Sequence, residues 1–366
     1  MIKAVINFKT IHWNIRKLKK HLMPGVKFCA VVKANAYSFG DVVVARQIEA
    51  EVDSFAVANI KEAVRLREGD IKKPILLFGP CADFKTAIQR NITVSIHNVA
   101  EVNALCKALQ GMHPSKCKIH IKVNTGMNRY GLSSVWQLKS VLSAAEKCSS
   151  IIVDGLYTHM AFETDKKSEI DAQLKKFTPF RSVFRHSYPR ATIHAACSGS
   201  AEYLPAQFDM VRIGKTMYGG FNGYRTAIKI TSKITAVQNL SAGAKIGYGG
   251  TAVAKSTMVC GVVPCGYADL AHFNFGNLHH VLVDNILCKI VGRVCMDSFM
   301  IDVTNIQAPL SKTVTIIADI KDTGGVKDST EQKGLGIMDV CRTTNTIACD
   351  LLCGFNFERT EVVYKN

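Results

Sequence analysis

Phe28-Cys29-Ala30-Val31-Val32-Lys33-Ala34-Asn35-Ala36-Tyr37 is an apolar, β-rich run that stops on a lysine. Burying an ammonium without a partner is costly, so a lysine in this place is paired, deprotonated or covalently used. An aldehyde cofactor would use it as a Schiff base. The plain alternative is a strand-end lysine whose stem packs and whose head reaches water. The rest of the chain bears on the choice.

Outward from this run, the first 230 residues or so alternate short β-rich stretches with amphipathic ones. Strands are predicted over 26–33, 54–58, 74–79, 92–96, 117–124, 151–157, 190–196 and 208–212. Helices are predicted over 41–50, 60–68, 82–90, 98–110, 134–148 and 166–186. Apolar residues recur there at three- and four-residue spacing, as in Val99, Val102, Leu105, Cys106 and Leu109. Strands separated by helices imply βαβ units and a parallel sheet. Eight such units point to an α/β fold of (β/α)8 TIM-barrel type, assigned to residues 1–230. From 231 to 366 helical periodicity fades and Val, Thr and Gly dominate, which predicts a smaller, mostly β domain. Strands are expected around 259–263, 281–284, 288–292 and 314–317, and a loop over 321–333.

Composition narrows the function classes. Length predicts about two domains. Forty-six Lys and Arg against 29 Asp and Glu leave a net charge of +17. The positives are scattered, and the densest cluster, Arg16-Lys17-Leu18-Lys19-Lys20, alternates with apolar residues as a helix would. No zinc-finger spacing, RNA-recognition signature or basic tail is present, so no nucleic-acid partner is expected. General attraction of anions remains, and an anionic cofactor or substrate would benefit. No apolar run approaches the ~20 residues that span a bilayer, and the first residues lack a signal-peptide h-region. A cytoplasmic location with no membrane partner is expected. The 13 cysteines include no C-x-x-C pair, so neither zinc nor a disulfide framework is expected, and buried reduced thiols are the simplest account.

Barrel enzymes carry their chemistry on loops at the C-terminal ends of the strands. The unusual residues of this chain fall there: Lys33, Lys122, Thr125-Gly126-Met127-Asn128-Arg129, Thr158-His159, Ser198 and Arg212-Ile213-Gly214. Phosphate sites often follow barrel strands 7 and 8, where Ser198, Gly199, Ser200 and Gly214 offer hydroxyls and backbone N–H groups. Singly, each has a bland reading: His159 as a satisfied strand-end histidine, Arg129 as a local cap, the serines as any loop. Together they describe a reactive lysine, a phosphate cradle and polar orienters, which fits pyridoxal phosphate.

Six motifs spread over nearly the whole length resemble those of the alanine racemases. They are the Lys33 run, Lys122 to Leu132, Val211 to Gly219, Gly247-Tyr248-Gly249, Pro264-Cys265-Gly266-Tyr267-Ala268-Asp269 and Gly292-Arg293-Val294-Cys295-Met296-Asp297. The resemblance implies a pyridoxal-phosphate enzyme that interconverts L- and D-alanine, with D-alanine serving as a cell-wall precursor. It implies Lys33 as the cofactor lysine and Tyr37, Ser198, the backbone of Gly214 and Tyr248 near the phosphate or the substrate entrance. Arg212 would face the pyridine nitrogen, Arg129 the ring hydroxyl and the substrate carboxylate, and His159 would orient Tyr267 or Arg212. It further implies a homodimer with shared active sites, in which Tyr267 and Met296 come from the partner subunit. Lys122 would be carbamylated.

The implied chemistry is coherent. Racemisation removes an α-proton on one face and returns one on the other, which Lys33 and Tyr267 on opposite faces would achieve. Arginine at the ring nitrogen does not give up its proton, because its pKa exceeds 12. The electron sink is thereby weakened and side reactions such as transamination limited. The chain departs from the usual pattern at Ser38-Phe39-Gly40, Asn124, Leu270, Ser298 and Phe357. None removes an expected base, but several lie near the expected substrate entrance. A serine or broader-specificity racemase on this scaffold is therefore the alternative. A barrel amino-acid decarboxylase is opposed by Arg212, where that chemistry wants a carboxylate. A non-catalytic cofactor-binding barrel is opposed by the ~135-residue β extension, itself the size of a domain.

Overall fold

The strands begin with β1 (Lys3–Asn7), and the next eight close on one another. They are β2 (Lys27–Val31), β3 (Ser54–Val57), β4 (Ile75–Leu77), β5 (Thr93–Ile96), β6 (Cys117–Lys122), β7 (Ile151–Tyr157), β8 (Thr192–Cys197) and β9 (Met210–Ile213). All neighbours are parallel, and β9 returns to pair with β2, so the sheet is a closed barrel. Almost every residue of β2 to β5 and of β9 is buried. Strands covered on both faces read as continuous apolar runs, and that is why composition alone located them. The computed structural model describes residues 2–112, 115–270, 278–319, 321 and 334–366. It divides into two compact units, Ile15–Gly214 and Met1–Asn14 with Lys215–Asn366.

Helices Asp41–Ile48, Ile60–Glu68, Phe84–Gln89, Val99–Gln110, Val135–Glu146 and Lys167–Ser187 connect the barrel strands. Four of them start on a side chain that accepts the third helical N–H: Asn59, Asp83, Asn98 and Ser134. Each such cap fixes where a strand-to-helix loop ends. The barrel interior holds a cluster of Cys29, Val31, Ala56, Leu76 and Met210. Across the closing pair Cys29 stands beside Arg212. Register therefore turns Arg212 to the same face as Cys29, into the barrel, and leaves it 2% exposed.

The other unit is built on a nine-stranded sheet. Its strands are β1, β10 (Ile228–Lys233), β11 (Ala236–Leu240), β14 (Met258–Val263), β15 (His280–Val283), β16 (Ile286–Val291), β17 (Phe299–Asp302), β18 (Thr313–Ile317) and β19 (Glu361–Lys365). A short ribbon of β12 (Lys245–Ile246) and β13 (Ala252–Val253) stands apart. The first strand sits between β10, antiparallel, and the last strand β19, parallel. Phe8 and Tyr364 stack beside that pairing at 5.7 Å. Helices Ile337–Thr344 and Ala348–Cys353 complete the unit. The expected barrel and the mostly β unit are thus both present. The loop expected over 321–333 lies outside the described residues apart from Lys321. Among the described residues no helix is long and apolar enough to cross a membrane.

Candidate active site at the barrel mouth

Three residues past the end of β2 the chain does something that the sequence does not announce. Ala34, Asn35, Ala36, Tyr37 and Ser38 all have positive φ, between 52° and 68°. They form one turn of left-handed helix, with Ala36 N–H donating to Val32 O and Ser38 N–H to Ala34 O. Each non-glycine residue in this region costs about 1–2 kcal/mol. The turn reverses the chain at once after Lys33, which is half-buried, and buries Tyr37 to 6% exposure. Strain of this kind gathers at functional sites.

Tyr37 meets Gly214, and Gly214 in turn bonds Ser198. A Cβ at Gly214 would lie 2.3 Å from the Tyr37 hydroxyl, so only glycine fits. The Gly214 N–H donates to Ser198 Oγ at 3.0 Å. The hydroxyls of Tyr37 and Ser198 therefore both lie beside the Gly214 backbone where the eighth barrel strand ends, and hydroxyl donors there suit a phosphate group, while the Gly214 N–H itself is spent on Ser198. Ser200, also expected to serve the cradle, is turned inward: its Oγ accepts the Cys197 N–H at 3.1 Å.

Arg212 has no carboxylate partner among the described residues. Its Nη2 donates to Thr158 O at 2.8 Å and Ala195 O at 2.9 Å, and lies 3.4 Å from His159 Nδ1. Its Nη1 donates to His194 Nδ1 at 2.8 Å. A guanidinium only donates, so His194 carries its own proton on Nε2. That proton is given to His120 Nδ1 at 2.8 Å, which leaves His120 Nε2–H facing the Asp154 carboxylate at 3.9 Å. Burial lowers the pKa of both histidines, that of His194 well below the usual range, and keeps the relay neutral. Tyr157 stacks on His194 at 4.7 Å, bonds Ser95 at 2.8 Å and has its phenol pushed up to about 12 by burial. Gly155 is obligatory, since a Cβ there would lie 2.6 Å from the His120 ring. The Arg212 Nε–H and one Nη1–H meet no protein acceptor among the described residues and remain for a ligand. Sequence reading missed His194, His120 and Tyr157. The only signal was two histidines at inward positions in apolar strands.

His159 is lowered well below the ordinary histidine range by burial, then by Arg212, Arg129, Lys122 and Lys33. Lys122 ends β6 at 4% exposure. Its Nζ sits 5.4 Å from the Tyr130 ring and 5.6 Å from the Tyr157 ring. Burial, followed by the charges of Arg129, Arg212 and Lys33, brings its pKa down to about 8. Asn124 shapes the loop that carries Arg129: its Oδ1 accepts the N–H of Gly126 at 3.1 Å and of Asn128 at 2.9 Å. Arg129 itself is exposed. The mouth is thus strongly cationic, which favours an anionic cofactor and a carboxylate substrate.

Tyr267 and Met296 belong to the β unit, at 48% and 53% exposure. Their loops are bound together: Tyr267 N–H donates to Cys295 O at 3.2 Å and Ala268 N–H to Met296 O at 3.0 Å. Gly266 lies so close that a Cβ would be 2.1 Å from Met296 O. Asp269 Oδ2 accepts the Gly266 N–H at 2.8 Å, and Arg359 joins Asp269 at 2.8 Å to Asp297 at 2.6 Å. Tyr248, 70% exposed, lines a groove of this unit together with Met296.

The family model described as alanine racemase, N-terminal domain, matches residues 6–221, and that described as alanine racemase, C-terminal domain, matches 227–364. The alanine racemase of Streptococcus pyogenes serotype M6 is 34% identical over 364 residues, covering 96% of this chain and 94% of its own length. Alanine racemase 1 of Oceanobacillus iheyensis is 32% identical over 332 residues, covering 86% and 88%. Among solved structures, alanine racemase from E. faecalis superposes with a TM-score of 0.88 at 28% identity, covering 100% of this chain and 98% of that one. Alanine racemase from the D-cycloserine-producing Streptomyces lavendulae gives 0.90 at 25%, covering 100% and 97%.

Lys122 makes the mouth pH-sensitive in a defined sense. Its pKa is about 8 in the folded chain against an ordinary 10.5. Below pH 8 both folded and unfolded chains hold the proton, and the buried ammonium costs stability. Between about 8 and 10.5 the unfolded chain binds more protons, so the contribution of Lys122 to stability rises with pH. In carbonate-free buffer the unfolding free energy of the parent, measured in urea, should gain on that of Lys122→Met across this window. A constant difference contradicts the assignment.

Proposed function

This chain belongs to the alanine racemase family, and we propose that it interconverts L- and D-alanine with pyridoxal phosphate held covalently on Lys33. The supporting observation is the convergence, at one barrel mouth, of Lys33, the Tyr37–Ser198–Gly214 cradle and a buried guanidinium that has no carboxylate beside it among the described residues. When bound, the cofactor supplies an electron sink that acidifies the Cα–H of an attached amino acid. The residues divide the remaining work. The cradle binds the phosphate. Arg212 orients the ring through its unused N–H groups and, as a guanidinium, yields no proton. Arg129, exposed at the mouth, receives the substrate carboxylate. Lys33 Nζ holds or moves the proton on one face.

The opposite face needs a second proton carrier, which the reading assigns to the hydroxyl of the partner subunit's Tyr267 in a homodimer with shared sites. Support comes from the exposure of Tyr267, Met296 and Tyr248, and from the bonds that hold the Tyr267 and Met296 backbones to each other's loops. His159, kept neutral by burial and by the surrounding cations, lies 3.4 Å from Arg212 Nη2 and serves to orient it. The partner's Met296 would contact the substrate. Lys122 completes the reading as a carbamate: its amine and CO2 give a carbamate and a proton. The lowered pKa raises the share of free amine near neutral pH. The product would place an anion among Arg129, Arg212 and Lys33.

Purified protein should turn over alanine in both directions, faster than serine, and borohydride should fix the cofactor on a peptide containing Lys33. Trapping on another lysine removes the assignment, and serine turning over faster than alanine moves the substrate.

Mixed dimers of Lys33→Ala and Tyr267→Phe subunits, each inactive alone, should regain activity, since one hybrid site holds both groups. Tyr267→Phe alone should stop racemisation yet still wash α-deuterium out of D-alanine, on which Lys33 acts. Washout from L-alanine only would reverse the faces.

A crystal structure should show a planar group on Lys122 Nζ bonded to Arg129. A bare ammonium there would end the carbamate reading.

A further inference from the structure

We propose that Glu62 is a positioning residue whose buried carboxylate anchors the left-handed turn Ala34–Ser38 and so aims Lys33 and Tyr37 together into the barrel mouth. Glu62 is 6% exposed. Its Oε1 accepts the Ala34 N–H at 2.9 Å, and its Oε2 accepts the Ala58 N–H at 2.7 Å. The Ala34 N–H belongs to the peptide that joins Lys33 to the turn. Inside the turn the bonds run from Ala36 to Val32, from Ser38 to Ala34 and from Gly40 to Asn35. A helical turn cannot satisfy its own first N–H groups. Glu62 supplies the acceptor for one of them, at the point where the backbone enters the left-handed region.

Helix capping does not account for this contact, as a second helix start in the same barrel demonstrates. Asn59 caps helix Ile60–Glu68 by accepting the Glu62 N–H at 3.0 Å, and Asn98 caps helix Val99–Gln110 by accepting the Glu101 N–H at 2.9 Å. In both, one carboxylate oxygen takes the N–H of the residue before the cap, Ala58 or His97. The spare oxygen of Glu101 stays local, 3.3 Å from both the His97 ring and the Asn98 amide. The spare oxygen of Glu62 instead crosses to a residue 28 positions earlier. One turn along the same helix, Arg65 pairs with the buried Asp41 at 2.7 Å. Asp41 N–H in turn donates to the Asn35 side chain at 3.0 Å. Helix Ile60–Glu68 therefore grips the segment Lys33–Asp41 at both ends.

Glu62 bears on the reaction only if Lys33 is the lysine proposed above, so the test separates the two. In the full chain as purified, Glu62→Gln turns an acceptor into an amide donor against one of two N–H groups. Hydrogen exchange at 34–38 should quicken roughly tenfold to hundredfold, the range expected for one buried N–H left unpaired. kcat for alanine should fall at least tenfold with KM little changed, and retention of pyridoxal phosphate on dialysis should weaken. Glu101→Gln, at the equivalent helix start, should leave exchange at 34–38 as in the parent. If Glu62→Gln does not fold, Glu62→Asp serves, since the shorter side chain keeps Ala58 and gives up Ala34. Parental exchange at 34–38 in the variant that folds overturns the anchor, whatever the activity. Quickened exchange with parental kcat and cofactor retention overturns the positioning role. Failure to trap the cofactor on Lys33 in the parent overturns the earlier reading alone.

Discussion

A guanidinium sealed inside the barrel, with no carboxylate beside it among the described residues, sets the conditions for its surroundings. Burying a charge is tolerable only when its hydrogen-bonding groups are met. Two backbone carbonyls and His194 meet three of the five N–H groups of Arg212, and among the described residues no carboxylate pairs with it. Because it only donates, it dictates the tautomer of His194, then that of His120, and so the direction of the relay toward Asp154. A carboxylate in place of His194 would pair with Arg212 and dull its field at the mouth. The neutral relay holds the geometry and leaves the charge in force. The same field adds to burial, the larger cause, in lowering the pKa of His159 and Lys122.

Much of the barrel was legible because each strand is short, apolar and followed by a helix of clear period. The eight expected strands all occur, with ends shifted by a few residues. What escaped reading depends on distant partners. Lys3–Asn7 is a strand only because residues 228–233 and 361–365 flank it, and five residues carry no such information. Helices Ile337–Thr344 and Ala348–Cys353 follow a stretch of strands whose texture hid them. His120 and His194 are ordinary until closure of the barrel turns them to a common interior. The left-handed turn is the hardest case: Ala34 to Ser38 contains no glycine, and the local rule for positive φ points elsewhere. Its cause lies in acceptors outside the segment.

Three of the residues expected to depart from the family pattern, Phe39, Asn124 and Leu270, have local physical accounts. Phe39 is fully buried, so an aromatic hydrocarbon fills space at the end of the turn. Asn124 needs only its carbonyl oxygen to accept two loop N–H groups, a task that an aspartate would perform with an added negative charge. The amide preserves the loop and keeps the Arg129 side of the mouth more cationic. Leu270 is buried and bridges to Phe355. These changes preserve the supports of the proposed site.

Both proposed proton carriers are held by the same kind of device. Around Lys33, Glu62 and the Arg65–Asp41 pair bind a strained turn to one helix. Around Tyr267, Asp269 and Asp297 are bridged by Arg359, while Gly266 is pressed against the Met296 carbonyl. In each case buried or bridged carboxylates fix backbone, and the working side chain is left free of them. Each support is complete within its own unit. Precision at each group is therefore set by local folding, and an assembly that brings the two together has only their registration left to supply. A reaction that needs two groups on opposite faces of one carbon gains from this division, since a displacement of about 1 Å in either can cost about a hundredfold in rate.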